Sequence, residues 1–137
     1  MLNKVVIFGV GLIGGSFARS LKKAGAVGSV VGMGRSTASL VRAKELGIID
    51  VIGATGDEGM AEALQGADLV LLAAPVAQTE AILSSIAPHL QAGTVVTDAG
   101  STKSDVVAAA RRALGVKVAQ FVPGLSLIHI SEPTRPY

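Results

Sequence analysis

A doubly wound α/β domain, built on one parallel sheet of about six strands, is the fold that this sequence predicts. Three observations predict it. Short apolar runs alternate with longer stretches of helical periodicity as far as Gly124. Of the 137 residues, 50% are hydrophobic but only 3% aromatic, so the apolar mass is Ala, Val, Leu and Ile. Small and β-branched residues of this kind suit strands buried on both faces beneath closely packed helices. Finally, a glycine-rich turn directly follows the first apolar run.

The elements follow in order. Lys4–Phe8 ("KVVIF") is a continuous apolar run of strand length. Ile13 to Ala24 has helical spacing and is closed by Gly25. Ser29–Met33 ("SVVGM") is the second strand. Thr37 to Leu46 is a helix with Ser36 as its N-cap and Gly47 just past its end. Asp50–Gly53 ("DVIG") is a weak third strand, and Glu58 to Gln65 a short helix ended by Gly66. Asp68–Ala73 ("DLVLLA") is the clearest strand, being short, continuous and apolar. Val76 to Ala87 is a helix following Pro75, and Gly93–Asp98 ("GTVVTD") is a strand. Lys103 to Leu114 is a helix ended by Gly115, and Val116–Val122 is the last strand. Strands alternating with helices of this length imply right-handed crossovers and parallel pairing.

Composition excludes several classes of function. The net charge is only +2 and the Lys and Arg residues are scattered, so there is no nucleic-acid footprint. The chain has no Cys, hence no disulfide and no thiolate metal site, which fits a cytoplasmic protein. No other metal-binding pattern stands out. No apolar run approaches the ~18 residues of a membrane helix; the longest, "LVLLAAPVA", is interrupted by Pro75. Lys4 and the apolar run after it could pass for a signal peptide, but no A-x-A cleavage signature follows and its glycines have another explanation.

That explanation is the spacing in "VIFGVGLIGGSFA", where Gly9, Gly11 and Gly14 form G-x-G-x-x-G between a strand and a helix. This is the setting of a Rossmann-type dinucleotide site. The first glycine permits the tight turn, the second lets the backbone approach a pyrophosphate, and the third lets the helix pack close to the strand. The pyrophosphate would sit on the free N–H groups where the helix opens, so Leu12 and Ile13 join the cofactor-binding set. The bland alternative is a flexible surface turn. At the end of the second strand, "GMGRSTAS" offers no carboxylate to bond a ribose diol. Arg35 can pair with a 2′-phosphate and Ser36 offers a hydroxyl donor, which favours NADP over NAD. Otherwise Arg35 is a solvated loop residue and NAD binds with less specificity.

Two further loops belong to the carboxyl edge of the sheet, where open α/β sheets bind ligands. In "LLAAPVAQT", Ala74 and Pro75 fix a narrow, extended backbone against which a flat ring can lie. In "TDAGSTKSD", the residues Asp98, Ser101, Thr102 and Lys103 crowd the turn into the next helix. Ordinary helix capping would also account for these residue types.

Taken together, "VVIFGVGLIGGSFA", "GIID", "ADLVLLAAPVAQT" and "VVTDAGSTKSDVV" resemble the nucleotide-binding domain of the prephenate dehydrogenase family, which includes arogenate and cyclohexadienyl dehydrogenases. "TDAGSTKSDV" after "AAPVAQT" is the specific part. The resemblance implies oxidative decarboxylation of prephenate to 4-hydroxyphenylpyruvate, a step of tyrosine biosynthesis, with hydride transfer to NADP or NAD. It also implies that Ser101 helps to hold the substrate's C4 hydroxyl and a catalytic His. That His belongs in a segment like Val-Pro-Gly-His-Pro; here "FVPG" is followed by Leu125. The family's C-terminal helical domain, which supplies homodimer contacts and substrate-binding groups, has no counterpart in this sequence.

The segment 125–137 breaks the pattern. "LSLIHISEPTR" is what a transposon-end adapter used in sequencing libraries encodes, so the tail reads as non-native and the domain as residues 1–124. A divergent natural tail is the alternative. His129 is then not the family's His, and the other one, His89 in "APHLQAG", is expected to be solvated on the opposite edge of the sheet. The chain as written is therefore expected to be inactive. Competing readings are an arogenate dehydrogenase, another small-substrate reductase such as a β-hydroxyacid or pyrroline-carboxylate enzyme, and a non-enzymatic nucleotide-sensing module. "DAGSTKSDV" argues against the second, and a natural tail would favour the last.

Overall fold

The computed structural model of the chain describes residues 2–9, 12–34, 37–54, 56–73, 76–98 and 121–122. Six strands, β1 (Leu2–Phe8), β2 (Val27–Met33), β3 (Val51–Ile52), β4 (Leu69–Leu72), β5 (Val95–Asp98) and β6 (Phe121–Val122), form one sheet in the order β3-β2-β1-β4-β5-β6. Every pairing is parallel. Among the described residues four helices follow β1 to β4 in turn: α1 (Leu12–Lys23), α2 (Thr37–Glu45), α3 (Gly56–Leu64) and α4 (Val76–Ile86), the last followed by a 3₁₀ turn (Ala87–His89). The expected helix over Lys103 to Leu114 and the start of the last strand lie outside the described residues.

Alternation along the strands explains the two layers. Val5, Ile7, Leu69 and Leu71 face one side and pack with Ala18 of α1 and Leu40 and Ala43 of α2. Val6, Phe8, Val70, Leu72 and Val96 face the other and pack with Ala63 and Leu64 of α3 and Leu83 and Ile86 of α4. Successive strand residues point to opposite faces, and both faces are covered, so the runs read as continuously apolar. The helices end where the sequence places their glycines: Gly25, Gly47 and Gly66 all have positive φ.

Side chains at the amino edge set the strand register. Asp50 donates its amide to the Val30 carbonyl at 2.8 Å, and its Oδ2 accepts the Val30 amide at 2.8 Å. Asp68 does the same on the other side of β1: its amide donates to the Lys4 carbonyl at 2.9 Å and its Oδ2 accepts the Asn3 amide at 2.6 Å. Lys4 Nζ donates to the Glu62 and Gln65 carbonyls, both at 3.0 Å, satisfying acceptors that the end of α3 leaves open.

Candidate functional site

The strand order changes direction between β1 and β4. At such a switch point successive connections leave to opposite faces and open a crevice beyond the carboxyl ends of the strands. Gly9 follows β1 there. Its φ of 85° lies in the left-handed region that a Cβ disfavours. Its amide donates to the Met33 carbonyl at the end of β2, at 2.8 Å, so the turn springs from the junction of two strand ends.

Gly14 lies in the first turn of α1. A Cβ there would stand 2.7 Å from the Gly9 carbonyl oxygen, 3.1 Å from Ile7 Cγ2 and 3.2 Å from Ala73 Cβ. The nearest obstacle is backbone, and Ala73 has no side-chain freedom with which to give way. Only glycine lets α1 sit this close to β1 and to the exit of β4. Leu12 and Ile13 open α1, which has no acidic residue in its first turn and carries Lys22 and Lys23 in its last. No acidic side chain in that first turn offsets the positive end of the helix, which favours an anion at the turn.

Gly34 is exposed at the end of β2, and a Cβ there would meet only Gly9, at 3.8 and 3.9 Å. A side chain would therefore fit. The missing carboxylate at this position is a choice of sequence and not a steric necessity. Gly11, Arg35, Ser36, Ala74, Pro75, Ser101, Thr102, Lys103 and Leu125 lie outside the described residues.

Asp98 ends β5 beside Leu72 and is only 6% exposed. Two positions on from Val96, it faces the α3/α4 side of the sheet at the carboxyl end of β5. Thr97 points to the other face. It is fully buried, and its Oγ1 is the one buried side-chain polar atom without a hydrogen-bond partner among the described residues. His89 departs from expectation. It is not solvated: its ring is 18% exposed, and Nε2 lies 2.9 Å from Asp57 Oδ1. The 3₁₀ turn that continues α4 packs against α3, a contact between sequence-distant helices that local pattern does not encode. A groove of about 380 Å³ between α3 and the β2–β3 edge, lined by Lys4, Ser29, Val31, Gly53 and Glu62 among others, lies away from the glycine turn.

Residues 17–128 match the family model described as prephenate dehydrogenase, nucleotide-binding domain. The chain belongs to the prephenate dehydrogenase family. It is similar to a prephenate dehydrogenase of Lactococcus lactis, with 35% identity over 124 residues that make up 90% of this chain and 33% of that protein. The crystal structure of Aquifex aeolicus prephenate dehydrogenase in complex with hydroxyphenyl propionate and NAD+ superposes with a TM-score of 0.79 and 34% identity, over 90% of this chain and 41% of that one. Synechocystis arogenate dehydrogenase gives a TM-score of 0.70 and 28% identity, over 82% of this chain and 38% of that one. The chain thus spans about a third of the length of the curated prephenate dehydrogenase that it matches. The glycine turn at Gly9–Gly14 immediately precedes the residues that match the family model.

Proposed function

We propose that this domain holds NADP and that the protein to which it belongs converts prephenate to 4-hydroxyphenylpyruvate. The observation that carries the reading is the Gly9–Gly14 cradle, closed to any Cβ at Gly14 and set against a helix start without acidic residues. When bound, the dinucleotide supplies the hydride acceptor for the substrate's ring C4. The chain's own part is to hold the pyrophosphate at Gly9–Gly14 and the 2′-phosphate at Arg35, and to let the nicotinamide lie against the backbone at Ala74 and Pro75. Ser101 holds the C4 hydroxyl, whose proton goes to a base; carbon dioxide leaves and the ring becomes aromatic. On this reading that base belongs after Gly124, where Leu125 stands, and the segment 125–137 is foreign to the domain. The chain as written is then a cofactor-binding domain without turnover. The full-length protein is read as a cytoplasmic homodimer.

The family also contains arogenate dehydrogenases, and the Synechocystis likeness keeps arogenate as a second substrate reading. The test is to resequence the source locus past codon 124 and assay its full-length product with each substrate. His-Pro codons after Gly124, and NADPH formation with prephenate, are expected. Turnover of arogenate alone would favour the second reading. Turnover of neither, or the tail codons found in independently amplified genomic DNA, would overturn the account of the substrate or of the tail, respectively.

A further inference from the structure

Lys22 stands in the last turn of α1 and reaches across to its neighbours. Its Nζ donates to Asp50 Oδ1 at 2.7 Å and to the Gly47 carbonyl at 3.0 Å. Gly47 lies just past α2, and Asp50 precedes β3. Asp50 is itself held, since its Oδ2 accepts the Val30 amide of β2 at 2.8 Å. One ammonium thus ties the tail of α1 to the end of α2 and, through Asp50, to the sheet.

Little else holds that tail sideways. Among the described side chains of α1, Ala18 is fully buried, while Phe17 and Leu21 are only partly buried against the core. The chain passes from α1 into β2 through Gly25 and Ala26, which sets the height of the tail above the sheet and not its swing along it. The head of the helix tolerates no such swing. A Cβ on Gly14 would stand 2.7 Å from the Gly9 carbonyl oxygen, so the first turn of α1 lies in backbone contact with the glycine turn. The 12 residues of α1 make a stiff rod of about 18 Å that joins the two ends. We propose that Lys22 is a positioning residue for the dinucleotide site: by pinning the tail of α1 to Gly47 and Asp50, it holds the head of the same helix, with its free N–H groups, against the Gly9 turn. The inference rests on the reading of that turn as a pyrophosphate cradle. Lys22 acts through the axis of α1 without touching ligand.

The test compares Lys22→Met, Asp50→Asn, the two combined, and Lys4→Met in the chain itself, by NADPH titration and thermal unfolding. Lys4→Met is the control, because Lys4 Nζ makes a like pair of bonds, to the Glu62 and Gln65 carbonyls at the end of α3, away from α1. Lys22→Met should weaken NADPH binding by about three- to fivefold, the scale of a partly exposed ion pair. The combined variant should lose no more than Lys22→Met alone, and Lys4→Met should lower Tm with affinity unchanged. A lowered Tm with unchanged affinity in Lys22→Met, or an equal loss of affinity in Lys4→Met, would overturn the positioning role. Additive losses in the combined variant would overturn the Lys22–Asp50 tie as its route. A parent chain that binds no NADPH would refute the cofactor reading instead, and the tie then stands or falls on unfolding of Gly14→Ala, Lys22→Met and their combination. Those positions are about 12 Å apart along α1, and changes so far apart ordinarily add. Relief of the Gly14→Ala loss by Lys22→Met would uphold transmission along the helix, and additive losses would overturn it.

Discussion

Gly14 and Gly34 occupy the cofactor edge for opposite reasons. Gly14 is glycine because the Gly9 carbonyl leaves no room for a Cβ, whereas Gly34 has room and no side chain. On the proposed NADP reading, discrimination passes to Arg35, since Gly34 offers no acid to select a ribose diol. Arg35→Ala should then cost on the order of 1–3 kcal/mol in NADP affinity and barely change that for NAD. Titration with both cofactors checks this, and equal losses would reject Arg35 as the phosphate reader. Thr97 supplies a second prediction at this scale. Its buried hydroxyl has no partner among the described residues, and Val has the same shape without the polar atom. Thr97→Val should leave stability unchanged or raise it by about 1 kcal/mol, read from the denaturant midpoint. A loss of that size would show that the hydroxyl is bonded.

Among the elements, β1, β2, β4 and β5 were legible because their apolar runs are the sheet's interior, covered on both sides. Sequence placed the carboxyl end of each within one residue, while the amino ends of β1 and β2 begin two residues earlier than the apolar pattern suggests. Pairing of Leu2 with Val27 holds those first residues, with the Leu2 amide donating to the Ala26 carbonyl at 2.8 Å, the Asn3 amide donating to Asp68 Oδ2, and Leu2 and Val27 packing against the core. The glycine turn was legible because its residue types are dictated by backbone geometry. The His89–Asp57 contact was not, because it depends on how α3 meets the turn after α4. Asp50 also carries a pH signature. Burial pushes its carboxyl up, but the Lys22 hydrogen bond, the Val30 amide and the Lys22 charge outweigh it and hold the group below its ordinary value of 3.8. Lys22 Nζ lies 2.7 Å from Asp50 Oδ1 and also donates to the Gly47 carbonyl, joining α1 to the end of α2. A depressed folded-state value gives stability that is present above the unfolded value and is lost as pH falls through the folded one. The Tm gap between the parent and Asp50→Asn should therefore be widest near neutrality and narrow as pH drops below about 4. A gap that is constant with pH would assign the effect to packing.

At the scale of the whole molecule, the six-stranded order and its switch point make a nucleotide cradle, and the remaining two thirds of the matched Lactococcus lactis enzyme lie outside this chain. Binding and turnover should therefore separate. If, as proposed, a base belongs where Leu125 stands, the chain should lack the ~10²–10⁴-fold that general-base catalysis contributes, before any loss of substrate contacts. NADPH formation from prephenate should be undetectable beside a full-length homologue; turnover within tenfold of that control would show that a resident group such as Ser101 or Lys103 suffices. The central claim, that these residues form a dinucleotide site at Gly9–Gly14, is tested most directly by calorimetric titration of the chain and its Gly14→Ala variant with NADPH. The account predicts saturable binding of one NADPH per chain, weakened by about tenfold or more in the variant, since overpacking of a closed site costs roughly 1–3 kcal/mol. No saturable heat with the parent chain, or equal affinity in the variant, would contradict it.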